Sequence, residues 1–256
     1  MDAKINLLDS RFNYPYKGFC SIVCAVIDIA LEHYFVNKNL NCYISDSQIL
    51  ELFDNICISN QNSYDASSWW LERFFGNQLY YSEYNAHTIA NVENLKIKNK
   101  VLNSVLKIKE DKEKKFKQKF IDFGITDKTL GIQIRGTDKK TEVPEPNFDT
   151  IIKKIDNKFD SLDIHSIFLA TDDTKYLNLL KERYGDLVVY DNTIHISLDG
   201  IPLHRSDNRK LVNEEVLSNV YILSKCCHFM YSFSNVSLLA LIMGANNHQT
   251  ISNINQ

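Results

Sequence analysis

Three short polar clusters in the C-terminal half of the chain carry residue types suited to a phosphorylated ligand. They are Arg135-Gly136-Thr137-Asp138-Lys139, Thr171-Asp172-Asp173 and Ser232-Phe233-Ser234-Asn235. Each follows a short apolar run. Arginine presents a planar fork of donors that fits two phosphate oxygens at once, and it keeps its charge at any working pH. Gly136 would let a ligand approach the backbone closely. Asp138 can orient the Arg135 guanidinium or another cation, and a purely structural Arg–Asp pair is the alternative. Asp172 and Asp173 can accept bonds from ribose hydroxyls or cap a helix. Capping accounts for Asp173 or Thr171, but not for both carboxylates. A metal held there lacks an identifiable third oxygen ligand. Ser232, Ser234, Asn235 and Ser237 form a hydroxyl- and amide-rich turn whose free N–H groups, at the start of a helix, suit an anion. N-capping by Ser234 or Asn235 is the other reading.

The elements that must position these clusters alternate regularly. Strands are expected at Leu130–Ile134, Ser166–Ala170, Leu187–Tyr190 and His228–Ser232. Helices are expected at Phe148–Phe159, Thr174–Tyr184, Asn213–Ser224 and Ser237–Met243. Alternating strands and helices build a doubly wound parallel sheet. Ligands bind outside the carboxyl ends of such strands, where all three clusters fall.

The N-terminal half is less explicit. A turn at Tyr16-Lys17-Gly18 precedes a helix from about Ser21 to Val36, and Asn41–Ile44 reads as a strand. Gly18 at a helix start suits anion contact, and ordinary turn chemistry is the alternative. Trp69, Trp70, Phe74, Phe75, Tyr80, Tyr81 and Tyr84 fit either the core of a small lobe or a platform for sugar rings. Val101–Phe123 reads as one long charged helix ending at Gly124, with the lysines from Lys107 to Lys119 on a solvated face. The expected division is residues 1–125 and 126–256.

Composition bounds the function. The chain has 256 residues, 44% hydrophobic and 24% charged, with a net charge of -3. Those are values of a globular protein, and no global basic field points to nucleic acid. The six cysteines form no CxxC pair, so reduced thiols are expected and a zinc site is not. No leader pattern is legible at the first residues, so a cytoplasmic location is expected, with peripheral attachment to a membrane compatible.

The segment Ile132-Gln133-Ile134-Arg135-Gly136-Thr137-Asp138-Lys139 resembles the first motif of the α1,6-fucosyltransferase group, which includes the nodulation and core fucosyltransferases. Phe168 to Asp173 resembles the second motif and Ser232 to Met243 the third. Asp191-Asn192 and Leu203-His204-Arg205 recur in similar order between them. The resemblance spans about Leu130 to Gly244. It implies an α/β, GT-B-like fold of two Rossmann-like lobes with the donor-binding lobe C-terminal. It also implies an inverting, metal-independent transferase that moves sugar from a GDP-sugar donor to a glycan or polysaccharide acceptor. Arg135 would grip the donor pyrophosphate and Glu142 would be the base, with Glu145 as the alternative. Gly18, Asp138, Lys139, Asp172, Asp173, Ser232, Ser234 and Asn235 would line the donor. Gln133 and Asn219 stand where the family has a histidine and an aspartate associated with guanine. Both can hydrogen-bond a base but lack the carboxylate, which Glu215, one turn earlier, could supply. A non-catalytic nucleotide- or glycan-binding module of the same fold is the rival reading.

Overall fold

Thr129–Ile134 is buried at every position and forms the central strand of the C-terminal unit. Its side chains alternate. Leu130, Ile132 and Ile134 enter one core with Ile151, Ile155, Leu177 and Leu180. Gly131 faces the other way, where an added Cβ would stand 3.0 Å from Cys226 Sγ and 3.2 Å from Leu223 Cδ2. The small residue at this position lets a helix end pack against the strand. Each fully buried aliphatic side chain here contributes about 1.5–3 kcal/mol.

A computed structural model describes residues 3–5, 18–24, 26–27, 30, 42–44, 47–55, 63–64, 92–137, 147–194 and 208–255. They divide into two compact units, Met1–Lys114 and Lys115–Gln256. In the first, β1 (Ala3–Ile5) lies between β2 (Cys42–Ile44) and β4 (Ser63–Tyr64), all parallel. β3 (Phe53–Asn55) pairs antiparallel with β5 (Leu106–Ile108). Helices α1 (Ser47–Leu52) and α2 (Val92–Val105) accompany them. Residues 19–24 are also helical, and the Phe19 and Phe53 rings stack 6.1 Å apart. The helix expected over Val101–Phe123 is in fact two. Leu106–Ile108 form a short strand after the first helix ends at Val105, and α3 (Glu110–Asp122) starts afresh after it.

The second unit holds a five-stranded sheet in the order β10-β9-β6-β7-β8, all parallel. Its strands are β6 (Thr129–Ile134), β7 (Ser166–Thr171), β8 (Val188–Val189), β9 (His228–Tyr231) and β10 (Thr250–Asn253). The helices are α4 (Phe148–Ser161), α5 (Thr174–Tyr184), α6 (Arg209–Leu223) and α7 (Asn235–Met243). Local chemistry sets their starts. Asn147 caps α4 by accepting from the N–H groups of Asp149 and Thr150. Asp173 caps α5, and Ser234 caps α7. Register brings the strand ends level: Ile134 pairs with Thr171, and Gln133 with Tyr231. Arg135, Asp172 and Ser232 therefore leave the sheet side by side. Strand β10, absent from the sequence reading, extends the sheet beyond β9. Cys226 and Cys227 form no disulfide, and burial pushes the Cys226 thiol up to about 12. Among the described residues, no helix is long and apolar enough to cross a membrane.

Candidate functional site

Arg135 is the first residue beyond β6. Its Nε lies 3.0 Å from Asp172 Oδ2, and its side chain is only 17% exposed. The main-chain N–H of Arg135 donates to Ser232 Oγ at 2.8 Å. Asp172 also accepts from the Gly136 N–H at 2.8 Å and from the Thr137 hydroxyl at 2.7 Å. One orienting carboxylate for Arg135 thus comes from the residue that follows the neighbouring strand. Asp138, the sequence candidate, lies outside the described residues with Lys139, Glu142, Glu145, His204, Arg205 and the Trp69–Tyr84 aromatics.

Asp173 has a different task. Its Oδ1 accepts the Lys175 N–H at 2.9 Å and caps α5. Its own N–H donates to Thr171 Oγ1 at 3.2 Å. This helix start passes directly over Gly136. A Cβ at Gly136 would stand 2.5 Å from Asp173 Cβ and 2.8 Å from the Tyr176 ring. The close approach expected of a ligand at Gly136 is therefore made by Asp173 and Tyr176 themselves. Gly136→Ala is expected to destabilise the fold by about 1–3 kcal/mol through overpacking. Denaturant unfolding measures it, and an unchanged midpoint refutes this account of the glycine.

On the other side, Gln133 is 3% exposed. Its Oε1 lies 3.1 Å from the hydroxyls of both Ser232 and Ser234, and Ser237 Oγ also reaches it. Ser237 is within 2.7 Å of the Ser232 carbonyl as well. Ser234 Oγ accepts the Ser237 N–H at 3.1 Å and so caps α7. Gln133 thereby ties the end of β9 and the start of α7 to the central strand. Asn235 is the first residue of α7, whose N-terminal dipole favours negative charge.

Asn219, the second departure from the motif pattern, is placed elsewhere. It lines a small pocket with Leu169, Thr171, Leu177, Tyr190, Asp191 and Ile194, and Gln133 is not part of that lining. Asn219 Oδ1 is buried without a hydrogen-bond partner among the described residues, as is Ser218 Oγ. An orphaned buried acceptor is costly, and a ligand N–H or O–H would relieve it. Asp191 forms another wall. It accepts from Lys119 Nζ, from the Thr193 N–H at 3.0 Å and from the Thr193 hydroxyl at 2.6 Å. Burial alone would raise the Asp191 pKa, but these bonds outweigh it and hold the carboxyl below the usual carboxylate range. By its sequence Lys119 reads as one residue of a solvated face. Nothing in its helical spacing marks the ion pair, because the partner lies 72 residues away. Glu215 is buried on α6, and Gly18 opens a helix in the first unit, where its carbonyl accepts from Ser21 at 3.0 Å.

Comparison with known proteins follows the same lines. A family model of alpha-(1,6)-fucosyltransferase N- and catalytic domains matches residues 92–246. The structure is similar to that of NodZ alpha-1,6-fucosyltransferase soaked with GDP-fucose, with a TM-score of 0.56 and 9% identity over 94% of this chain and 91% of that one. It is similar to fucosyltransferase NodZ from Bradyrhizobium at a TM-score of 0.52 and 10% identity, over 93% and 90%. It also resembles a mutant of FUT1 from Arabidopsis thaliana in complex with GDP, at 0.54 and 11% identity, over 98% and 70%. At these identities the likeness is one of fold, and it agrees with the α/β, GT-B-like class expected from the sequence. No curated protein matches the chain.

Proposed function

The chain belongs to the alpha-(1,6)-fucosyltransferase family, and from that premise we propose that it is an inverting, metal-independent glycosyltransferase using GDP-fucose. The observation that carries the reading is the frame around Arg135. The guanidinium is held by Asp172, and the main-chain N–H of the same arginine donates to Ser232, two residues before the Ser234 cap of α7. The guanidinium and the N-terminus of α7 are the two sources of positive potential assigned to the charge that a leaving diphosphate gathers.

In the proposed reaction the acceptor hydroxyl attacks the anomeric carbon from the face opposite the diphosphate. The new C–O bond forms as the bond to the β-phosphate oxygen breaks. The acceptor's proton passes to Glu142, and GDP leaves with the bonding electron pair. Arg135 stabilises the charge that a divalent cation would otherwise balance. Asn219 Oδ1, without a hydrogen-bond partner among the described residues, takes one of guanine's N–H donors. Gln133 presets the serine turn below. The acceptor is a glycan or polysaccharide, and the enzyme works in the cytoplasm or at the periphery of a membrane.

Calorimetry with GDP, UDP, CDP and ADP in the presence of EDTA tests the donor. GDP is expected to bind tightest, and GDP release from GDP-fucose is expected to persist in EDTA. Tighter binding of another nucleotide would overturn the donor assignment. Turnover lost in EDTA and restored only by Mg²⁺ or Mn²⁺ would overturn metal independence.

A further inference from the structure

Asp172 is 7% exposed, yet it meets three donors from three consecutive residues of the turn after β6. Arg135 Nε and the Thr137 hydroxyl reach Oδ2, and the Gly136 N–H reaches Oδ1. A carboxylate has about four lone-pair sites, so most of its capacity is spent within the protein. We propose that Asp172 is a positioning residue that acts on the donor only through Arg135. The inference rests on the reading that Arg135 grips the diphosphate.

The geometry gives Asp172 two actions. Its bond to Nε fixes the plane of the guanidinium and hence the direction of its terminal nitrogens. Its bonds to Gly136 and Thr137 fix the main chain that carries the arginine. Ser232 completes the arrangement from the opposite side by accepting the Arg135 N–H. The long side chain then has little freedom left to lose when a ligand arrives, which is how preorganisation raises affinity. An asparagine at this position keeps the shape but not the bonding. Whichever way the amide turns, its NH₂ meets either the Gly136 N–H or the Arg135 Nε–H, donor against donor.

The test is a double-mutant cycle on the full chain, with GDP affinity read by calorimetry. Asp172→Asn alone is expected to weaken GDP binding roughly tenfold, the cost of a lost hydrogen bond to a charged group. In an Arg135→Ala background the same change is expected to cost no more than about twofold, within the scatter of additivity. An equal loss in both backgrounds would mean that Asp172 reaches the nucleotide itself, which overturns the inference. Unchanged affinity in Asp172→Asn overturns it as well. If Arg135→Ala leaves GDP affinity intact, the arginine reading fails instead. Should Asp172→Asn not fold, Thr137→Val removes one of the three bonds and runs through the same cycle. Loss confined to the Arg135 background supports the inference, and equal or absent loss overturns it.

Discussion

Arg135→Ala is expected to lower turnover of GDP-fucose by roughly a hundredfold or more, the scale seen when one preorganised donor to a developing anion is removed. The magnitude follows from the setting. The side chain is only 17% exposed, so its charge acts through a medium that screens less than water. Its Nε is held by Asp172, so little reorganisation is needed as charge develops. Arg135→Lys is expected to recover only part of the loss. An ammonium keeps the charge but cannot give one donor to Asp172 along one edge and a parallel pair to phosphate oxygens along another. Steady-state GDP release gives the comparison, with both kcat and kcat/KM read. Near-normal turnover in Arg135→Ala would remove the pyrophosphate role.

Glu142→Gln is expected to lower turnover by roughly 10²–10⁴-fold, the contribution of a general base, while GDP affinity stays close to that of the unaltered protein. The two readouts separate because the glutamine keeps the shape and removes only basicity. Glu142 follows the last residue of β6 by eight positions and precedes Pro144 and Pro146 in the sequence. A carboxylate there follows the strand end around which Arg135 and Asp172 gather. Transfer kinetics and calorimetry on the same preparation decide the matter. Normal turnover in Glu142→Gln together with loss in Glu145→Gln assigns the proton to Glu145. Normal turnover in both places the base elsewhere in the chain.

Much of the second unit was legible because its signals are local. The β6 strand reads directly from Leu130, Ile132 and Ile134, and α5 from an aspartate cap followed by apolar residues at helical spacing. The polar cluster after each strand pointed to the sheet edge where Arg135, Asp172 and Ser232 meet. What each side chain does there was less legible, because the partners lie far apart in sequence. From the sequence Asp172 can face ribose or cap a helix, whereas in the structure its carboxylate is turned to the Arg135 turn, 35 and 36 residues earlier. Gln133 stands at a position associated with guanine, whereas its carbonyl gathers three serine hydroxyls about 100 residues later. Gly136 suggests room for a ligand, whereas that room belongs to Asp173 and Tyr176. Residues 101–123 read as one helix because charged residues with helical spacing flank the short Leu106–Ile108 strand on both sides. Only its pairing with Phe53–Asn55 distinguishes it.

The order of the sheet also sets an order of assembly. Strand β9 sits between β6 and β10, so the chain must return from residue 189 to residue 228 before the centre of the sheet is flanked on both sides. The Arg135–Asp172 side of the frame needs a loop of fewer than 40 residues to close. The Gln133–Ser232 side needs one of 99. Longer closures are slower to find. During synthesis, Gln133 leaves the ribosome well before the serines that cap its carbonyl exist. The central strand of the nascent chain therefore carries a lone amide on its open flank until β9 docks. That interval is when an unpaired strand edge is exposed to chaperones or to neighbouring copies.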